Sequence, residues 1–583
     1  MPLTSVIACQ TYWASRLRRA GQLPPNLSVL PLKLHTVNNL VLLDAGVVSR
    51  CRRRVHLEHD PAMRDATQAP PDPAGEQRKA DAEAHRRSIA EELAGVLGAD
   101  WTWIASGGEL RTIDREAATQ QAMTEGVRFI WGAQLPRDPA TGRRGSIHLL
   151  VRTATGYVPV LVVRHKVSDP GSGARTSPLH RPVPWAGQAD PARKVRPQPR
   201  DQLRLAHARR MLEDCGQADR GHPIGGVIGL DGDVVVWHDL ESPAWPGGRT
   251  ALAEYDARFA DRLAVATAAA SGAPALAEPS RIVECRTCPW WTICRAELRA
   301  IRDVSLVVRG EEGALLRAAG VRTVDDLAAL DPALEESLPP AGMPLSDAVG
   351  LAKAWLADLT VVRRVREVTV PRADVEVDVD MESFGDAGAY MWGVLLSGAD
   401  VGVAPGYRAF ATWEPLPTDD EARSFAGFWQ WLVEVETRAR ALGLSFRAYC
   451  YNELAENRWL LSSARRFAGK PGIPSQEEVQ SFIDSDGWFD MFGSVRDYFL
   501  CSHGKGLKTI APAAGFTWRD SQASGENSMR WYRDAVGMDG AGPDPSQRQR
   551  LLEYNEDDVS ATKALRHWMS SPAVNDIPYV GDL

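Results

Sequence analysis

Apolar and polar side chains alternate most strictly over residues 375–383, where Val375, Val377, Val379 and Met381 share one parity and Glu376, Asp378, Asp380 and Glu382 the other. A period of two sends successive side chains to opposite faces of a strand. The segment therefore predicts a strand, over 374–382, with one apolar face and one face of carboxylates. Further strands are predicted at 389–397, 407–413 and 445–451, with a Trp- and Phe-rich helix at 421–442. The last predicted helix, 546–570, has Asp544 as N-cap and Pro545 at its first position.

Upstream, helical patterns cover 36–64, 76–98, 201–214 and 249–270. Two strands joined by a Thr-Ala-Thr-Gly turn are predicted within 145–167, and a hairpin around Asp231-Gly232 at 225–240. Residues 311–330 predict two short helices, with Gly320 suited to the position after the first and Thr323 to capping the second. They are as compatible with a two-helix spacer as with a helix-hairpin-helix that grips a DNA backbone. Two stretches interrupt the pattern. Residues 168–200 are dense in Pro, Gly and Arg and predict a long loop or mobile segment; 331–347 set the upstream elements apart from the acid-bearing strand and its neighbours.

Length changes this picture by requiring several cores: 583 residues suit about three to four units of roughly 150 residues each. A net charge of −8 argues against a protein that coats nucleic acid nonspecifically, yet leaves room for a locally basic groove. No run approaches the roughly 20 apolar residues of a membrane span, and Arg16, Arg18 and Arg19 are followed by no apolar core typical of a signal peptide. A soluble, cytoplasmic protein with no membrane partner is expected.

The chemistry concentrates in two places. Asp380 and Glu382 share a strand face, about 7 Å apart along the chain, and can converge on one hard cation. Like charges in a row are costly unless solvated or metal-bound, and an exposed edge strand that deters aggregation is the rival reading. Far downstream, Tyr554 and Asp558 lie four residues apart on one helical face. Asn452 and Glu456 follow a predicted strand. The second place is Cys285-x2-Cys288-x5-Cys294, whose spacing lets three thiolates face one metal, with Cys51 the best fourth ligand. Zinc and iron–sulfur are both open. Cys9, Cys215, Cys450 and Cys501 are expected to be buried thiols. Arg50, Arg52, Arg53 and Arg54, with Trp290 and Trp291, either contact a nucleic-acid strand or are ordinary helix charge and core aromatics.

Asp-x-Glu in a first strand followed by Tyr-x3-Asp near the end of a domain resembles the DEDD exonucleases of the tyrosine subtype. WFDMF (488–492) and GLKTIAPAAGF (506–516) extend the likeness to the YprB-type ribonuclease H-like domain of RecB-like nucleases, over about 370–572. Glu456 departs from the Asp usual at the middle position. The resemblance implies a 3′-to-5′ exonuclease using two Mg²⁺ or Mn²⁺ ions about 4 Å apart. Asp380 would bridge both ions, Glu382 and Asp558 would each hold one, Glu456 would act through water and Tyr554 would orient the attacking water. Asp490 would be a further acid, and Lys508 a phosphate contact. The substrate would be DNA or RNA, single-stranded or with a free 3′ end, and a helicase partner is implied by the company such domains keep.

One early cysteine followed by a distant Cys-x2-Cys-x5-Cys resembles the iron–sulfur clasp of the same nucleases. It implies a [4Fe–4S] cluster on Cys51, Cys285, Cys288 and Cys294, with Zn²⁺ the alternative. Residues 36–300 resemble a PD-(D/E)xK domain, with His85 at the early metal-binding histidine, Gln202 at the glutamine motif and Lys166 at the lysine. Both acids are missing, because His148 and Arg164 stand near their places. A degenerate nuclease module retained for nucleic-acid binding through Lys166 and Gln202 is expected. The expected fold is multidomain α/β: a restriction-endonuclease-like RecB-type domain (1–304), a small helical linker (305–369) and a ribonuclease H-like domain (370–583). The alternative function is a catalytically silent nucleic-acid-binding adaptor.

Overall fold

A computed structural model describes residues 40–70, 73–104, 111–333, 342–538, 540 and 542–583. Cys9, Arg16, Arg18, Arg19, the start of the helix expected from 36 and much of the 331–347 break lie outside the described residues.

The N-terminal elements are α1 (Arg52–His59), α2 (Pro73–Leu97), β1 (Trp101–Trp103), α3 (Thr112–Glu125), β2 (Phe129–Asp138), β3 (Arg143–Arg152), β4 (Tyr157–Val162), β5 (Ser168–Pro170), β6 (Ala174–Pro178), β7 (Gln188–Asp190), β8 (Arg193–Val195), α4 (Pro199–Asp214), β9 (Ile224–Ile228), β10 (Val234–Asp239) and α5 (Ala251–Ala270). Eight of these strands form one sheet in the order β1-β2-β3-β4-β9-β10-β6-β7. One face packs on α4 and α5 through residues such as Leu150, Leu203 and Tyr255; the other packs on Ile89, Ala90 and Leu93 of α2.

The expected single helix over 36–64 is instead a 3-10 turn, α1 and a second 3-10 turn. Asp60 accepts the backbone N–H of Ala62, and Pro61 opens the second turn, so the chain breaks where a local cap competes with the helix. The expected loop over 168–200 is also corrected: it carries β5 to β8, and β6 extends the sheet through Val234–Pro178 pairing. Strands of three to five residues hold too few apolar positions to register as a period, and here Asp231 does the anchoring by accepting the backbone N–H groups of Val167 and Ser168.

Next come α6 (Trp291–Ala300), α7 (Gly310–Ala318), α8 (Val324–Ala328) and α9 (Leu345–Leu356), which share a core from Leu298 to Ala354. Gly320 has a φ of 93° and Thr323 caps α8 through the Asp326 N–H. This core also takes in Val362 and Leu500, because β11 (Val361–Arg363) pairs with β17 (Phe499–Cys501).

The C-terminal elements are β12 (Val375–Ser383), β13 (Ala389–Gly398), β14 (Gly406–Ala411), α10 (Asp420–Ala441), β15 (Phe446–Cys450), α11 (Glu453–Arg466), α12 (Gln476–Ile483), β16 (Trp488–Asp490), α13 (Met491–Tyr498), α14 (Leu507–Ile510), α15 (Gly525–Val536) and α16 (Pro545–Met569). Their sheet runs β14-β13-β12-β15-β16, with β12, β13 and β14 antiparallel and β15 and β16 parallel to β12. On one face, Trp392 stacks on Phe428 of α10 with centroids 4.7 Å apart, both fully buried. Each such aromatic contributes roughly 1.5–3 kcal/mol by burial. On the other face lies α16.

β12 is thus the central strand, which overturns the exposed-edge alternative: Glu376, Asp378 and Glu382 are all buried. The fully buried Arg566 of α16 donates to Glu376 and, at 2.6 Å, to Asp378, while Arg372 donates to Glu376 at 2.6 Å. Two of the four carboxylates are neutralised in this way.

The two α/β domains touch. Asp81 on α2 accepts from Arg533 of α15 at 2.7 and 2.9 Å and lies 3.1 Å from Arg164. Arg196 bridges Asp169 at 2.8 Å and Asp386 at 3.2 Å.

A candidate metal centre in the C-terminal domain

Past the arginine-paired half of β12, the strand delivers Asp380 and Glu382 beneath α16, which supplies Asp558. One carboxylate oxygen from each lies within 4.8 Å of the other two, and this is the only such group of three or more His, Cys, Asp or Glu among the described residues. Three carboxylates at that range repel unless protonated or bridged by cations. Burial pushes Glu382 up to about 7, helped by the charge of Asp558 and opposed by its hydrogen bonds. Burial likewise raises Asp380, with Asp558, Glu382 and Glu456 adding to it. Asp558 is raised by burial, against the pull of Lys508, Trp518 and Tyr554.

Each acid is held by groups that spacing did not reveal. Asn555 Nδ2 donates to Asp380 Oδ2 at 2.8 Å, and its Oδ1 accepts the Tyr407 hydroxyl at 2.8 Å. Gly393, opposite Asp380 across the β12–β13 ladder, makes room for this amide: a Cβ there would lie 1.6 Å from Asn555 Oδ1. Ser528 Oγ and Tyr390 hydroxyl donate to Glu382 Oε2 at 2.8 and 3.1 Å. Trp518 Nε1 donates to Asp558 Oδ1 at 2.6 Å. Asn555 lies inside the Tyr554-x3-Asp558 span, yet nothing in the sequence marked it, Ser528, Tyr390 or Trp518 as a donor to the acids.

Tyr554 joins the group, with its hydroxyl 3.1 Å from Lys508 Nζ. Lys508, expected at a phosphate, instead donates to Asp558 at 3.1 and 3.3 Å. Its ammonium lies 4.7 Å from the Tyr554 ring centroid, so it supplies the nearest positive charge to the acids. Glu456 is not one of the three converging acids. It sits buried in the first turn of α11 with Oε2 unpartnered, and burial, with Asp490, Glu382 and Glu453 nearby, pushes it up to about 8. Asp490 has a structural duty: it caps α13 by accepting the Phe492 N–H at 2.9 Å and ties down the Asn452 N–H at 2.8 Å.

The N-terminal candidates form no comparable group. His148 is half-buried, its Nδ1 accepts the Val162 N–H at 2.8 Å, and desolvation lowers its pKa to about 3. His85 is lowered by burial and faces the backbone of Gly229 and Val163. Gln202, expected at nucleic acid, accepts the Trp245 indole N–H at 3.1 Å through Oε1. Lys166 lines a cleft against the C-terminal domain.

Cys51, Cys285, Cys288 and Cys294 line one small pocket together with Arg53, Arg54 and Glu284. No three of these thiols fall within 4.8 Å of one another, unlike the carboxylates. Burial raises Cys285 and Cys288, and Cys294 to about 12. The neighbouring arginines are committed to protein partners: Arg52 pairs with Asp261 at 3.1 Å, Arg53 with Glu297 at 2.8 Å, Arg54 with Glu58 at 2.8 Å, and Arg50 reaches Glu58 at 3.5 Å. Trp290 is buried and Trp291 half-buried.

A family model of the RNase H superfamily matches residues 474–570, a span that holds Asp490, Lys508, Tyr554 and Asp558 but not β12. No curated protein and no solved structure matches the chain. Among the described residues no helix is long and apolar enough to cross a membrane. The chain is a mixed α/β protein with several sheets, and its C-terminal domain is ribonuclease H-like.

Proposed function

We propose that the C-terminal domain is a 3′-to-5′ exonuclease that hydrolyses nucleic-acid phosphodiesters at Asp380, Glu382 and Asp558. One observation carries the reading: three carboxylates from two distant segments meet within 4.8 Å at the end of a central strand. An all-oxygen donor set of this kind suits Mg²⁺ or Mn²⁺ and disfavours softer metals. Paired cations in such a site lower the pKa of water and stabilise charge on the attacking and leaving oxygens. Asp380, Glu382 and Asp558 would hold them, and Glu456 would act through water. Asn555, Ser528, Tyr390 and Trp518 orient the three acids. The Tyr554 hydroxyl would hold the attacking water in line, and Lys508, once freed from Asp558, would reach the phosphate.

The alternative is a silent nucleic-acid-binding adaptor, favoured by the Lys508–Asp558 ion pair at 3.1 Å. Incubating end-labelled single-stranded DNA and RNA with the full chain and Mg²⁺ or Mn²⁺ separates the two. Stepwise shortening from the 3′ end, abolished by Asp380→Asn and by Asp558→Asn, supports the enzyme. Equal shortening by wild type and variants would mark a contaminant and leave the adaptor.

For the thiol pocket we favour a [4Fe–4S] cluster over zinc, because one remote early cysteine followed by Cys-x2-Cys-x5-Cys resembles the iron–sulfur clasp of RecB-like nucleases. The cluster would staple Cys51 to the segment ending at Cys294. A colourless anaerobic preparation with stoichiometric zinc would overturn the assignment.

A further inference from the structure

A group of cations between the two α/β domains has no part in the chemistry above. Lys166, Arg196, Arg458, Arg465 and Arg466 line one solvent-open cleft of about 680 Å³, whose only carboxylates are Asp169 and Asp386. In a chain of net charge −8 this is a local reversal of sign. The walls come from both domains. Lys166 and Asp169 follow or lie within β4–β5, Arg196 follows β8, Asp386 sits in the β12–β13 turn, and the other arginines lie on α11.

Both acids of the cleft are already engaged: Asp169 by Arg196 at 2.8 Å, and Asp386 by Arg196 at 3.2 Å and by Arg458. Arg466 pairs with the buried Glu421 at 3.0 Å. Lys166 and Arg465 have no ion-pair partner among the described residues and line the cleft, where Lys166 also acts electrostatically on Asp386. The cleft is connected to the metal centre through the chain. The helix that begins with Glu456 in its first turn carries Arg465 about 14 Å further along its axis, and the turn holding Asp386 directly follows the strand of Asp380 and Glu382.

We propose that this interdomain cleft is the path of a single-stranded nucleic acid, gripped by its phosphates, whose end reaches the Asp380–Glu382–Asp558 group. The destination of the strand rests on the nuclease reading; the binding itself does not. Trp459, the aromatic in the wall, is buried beneath Arg458 and Arg466, with centroid distances of 5.4 and 5.8 Å. It is not free to stack on a base, so recognition falls to the backbone and is indifferent to sequence. The N-terminal domain then contributes Lys166 and Arg196 to substrate binding without an active site of its own.

The test uses the full chain, a fluorescent oligothymidylate and EDTA to prevent cleavage, with anisotropy read across a salt series. The double variant Lys166→Ala, Arg465→Ala removes no ion pair. It is expected to bind at least several-fold more weakly at 0.1 M salt and to lose about 1.4 from the log–log salt slope, at about 0.7 per lost phosphate contact on a single strand. Unchanged affinity and slope in the double variant would overturn the path, whether or not the wild type cleaves. Equal competition by polyglutamate of matched charge would overturn it too, reassigning the cleft to an acidic protein. Loss of slope with no cleavage by any form would support the cleft while removing the nuclease reading.

Discussion

The two halves of β12 carry the same pattern and meet opposite fates. Glu376 and Asp378 are covered by Arg566 and Arg372; Asp380 and Glu382 are covered by neutral donors, with only Lys508 nearby. Burial pushes Glu376 up, but Arg372, Arg566 and Tyr449 prevail and hold it at about 2. For Glu382 nothing prevails over burial and Asp558, and it rises to about 7. Asp378 is the intermediate case: burial outweighs Arg566 and leaves it at about 6. A row of buried acids is therefore divided between a structural segment, charge-balanced by arginine, and a segment whose charge the protein leaves for something else to balance.

Removing the arginine breaks the comparison most severely. Arg566→Ala strands Glu376 and Asp378 without their buried partner and is expected to cost about 3–5 kcal/mol, read by chemical denaturation; a loss under 1 kcal/mol would show that water reaches the pair. Titration sharpens the contrast between Glu376 and Glu382, which respond to pH with opposite sign, while Asp378 follows Glu382. Glu376, depressed from 4.5, contributes stability above pH 4.5 that is lost as pH falls toward 2. Glu382, raised from 4.5 to about 7, binds its proton more tightly in the folded state, so the metal-free protein loses stability, on the order of 2 kcal/mol, as pH rises from 4.5 to 7. Magnesium should abolish that loss. Equal unfolding midpoints at pH 5 and 7 without metal would contradict the uncompensated half. The smallest effect is expected from the orienting donors: Ser528→Ala should weaken Mn²⁺ binding by about 10- to 100-fold, measured by titration calorimetry, with little change in melting temperature.

Much of this division was legible in the sequence, and its limits are physical. Strict alternation over 375–383 fixes which residues share a face, and the i, i+4 spacing of Tyr554 and Asp558 places them on one side of a helix. Alternation reads the same on an edge strand as on a central one, so strand order, and with it the burial of the acids, came only from β15 and β16 adding beside β12. The donors escaped notice because their partners are remote: Ser528 lies 146 residues from Glu382, and a hydroxyl carries no local period. Arg566 was equally silent, two helical turns beyond Asp558 on the same face. In 168–200, glycine and proline mark turns, while the intervening strands are too short to announce themselves.

The most direct test is titration calorimetry of the full chain with Mg²⁺ and Mn²⁺ at pH 7.5. Uptake of two ions by the wild type, lost in Asp380→Asn while Arg566 and its acids are untouched, is the predicted result. A wild type that takes up neither metal would contradict the account.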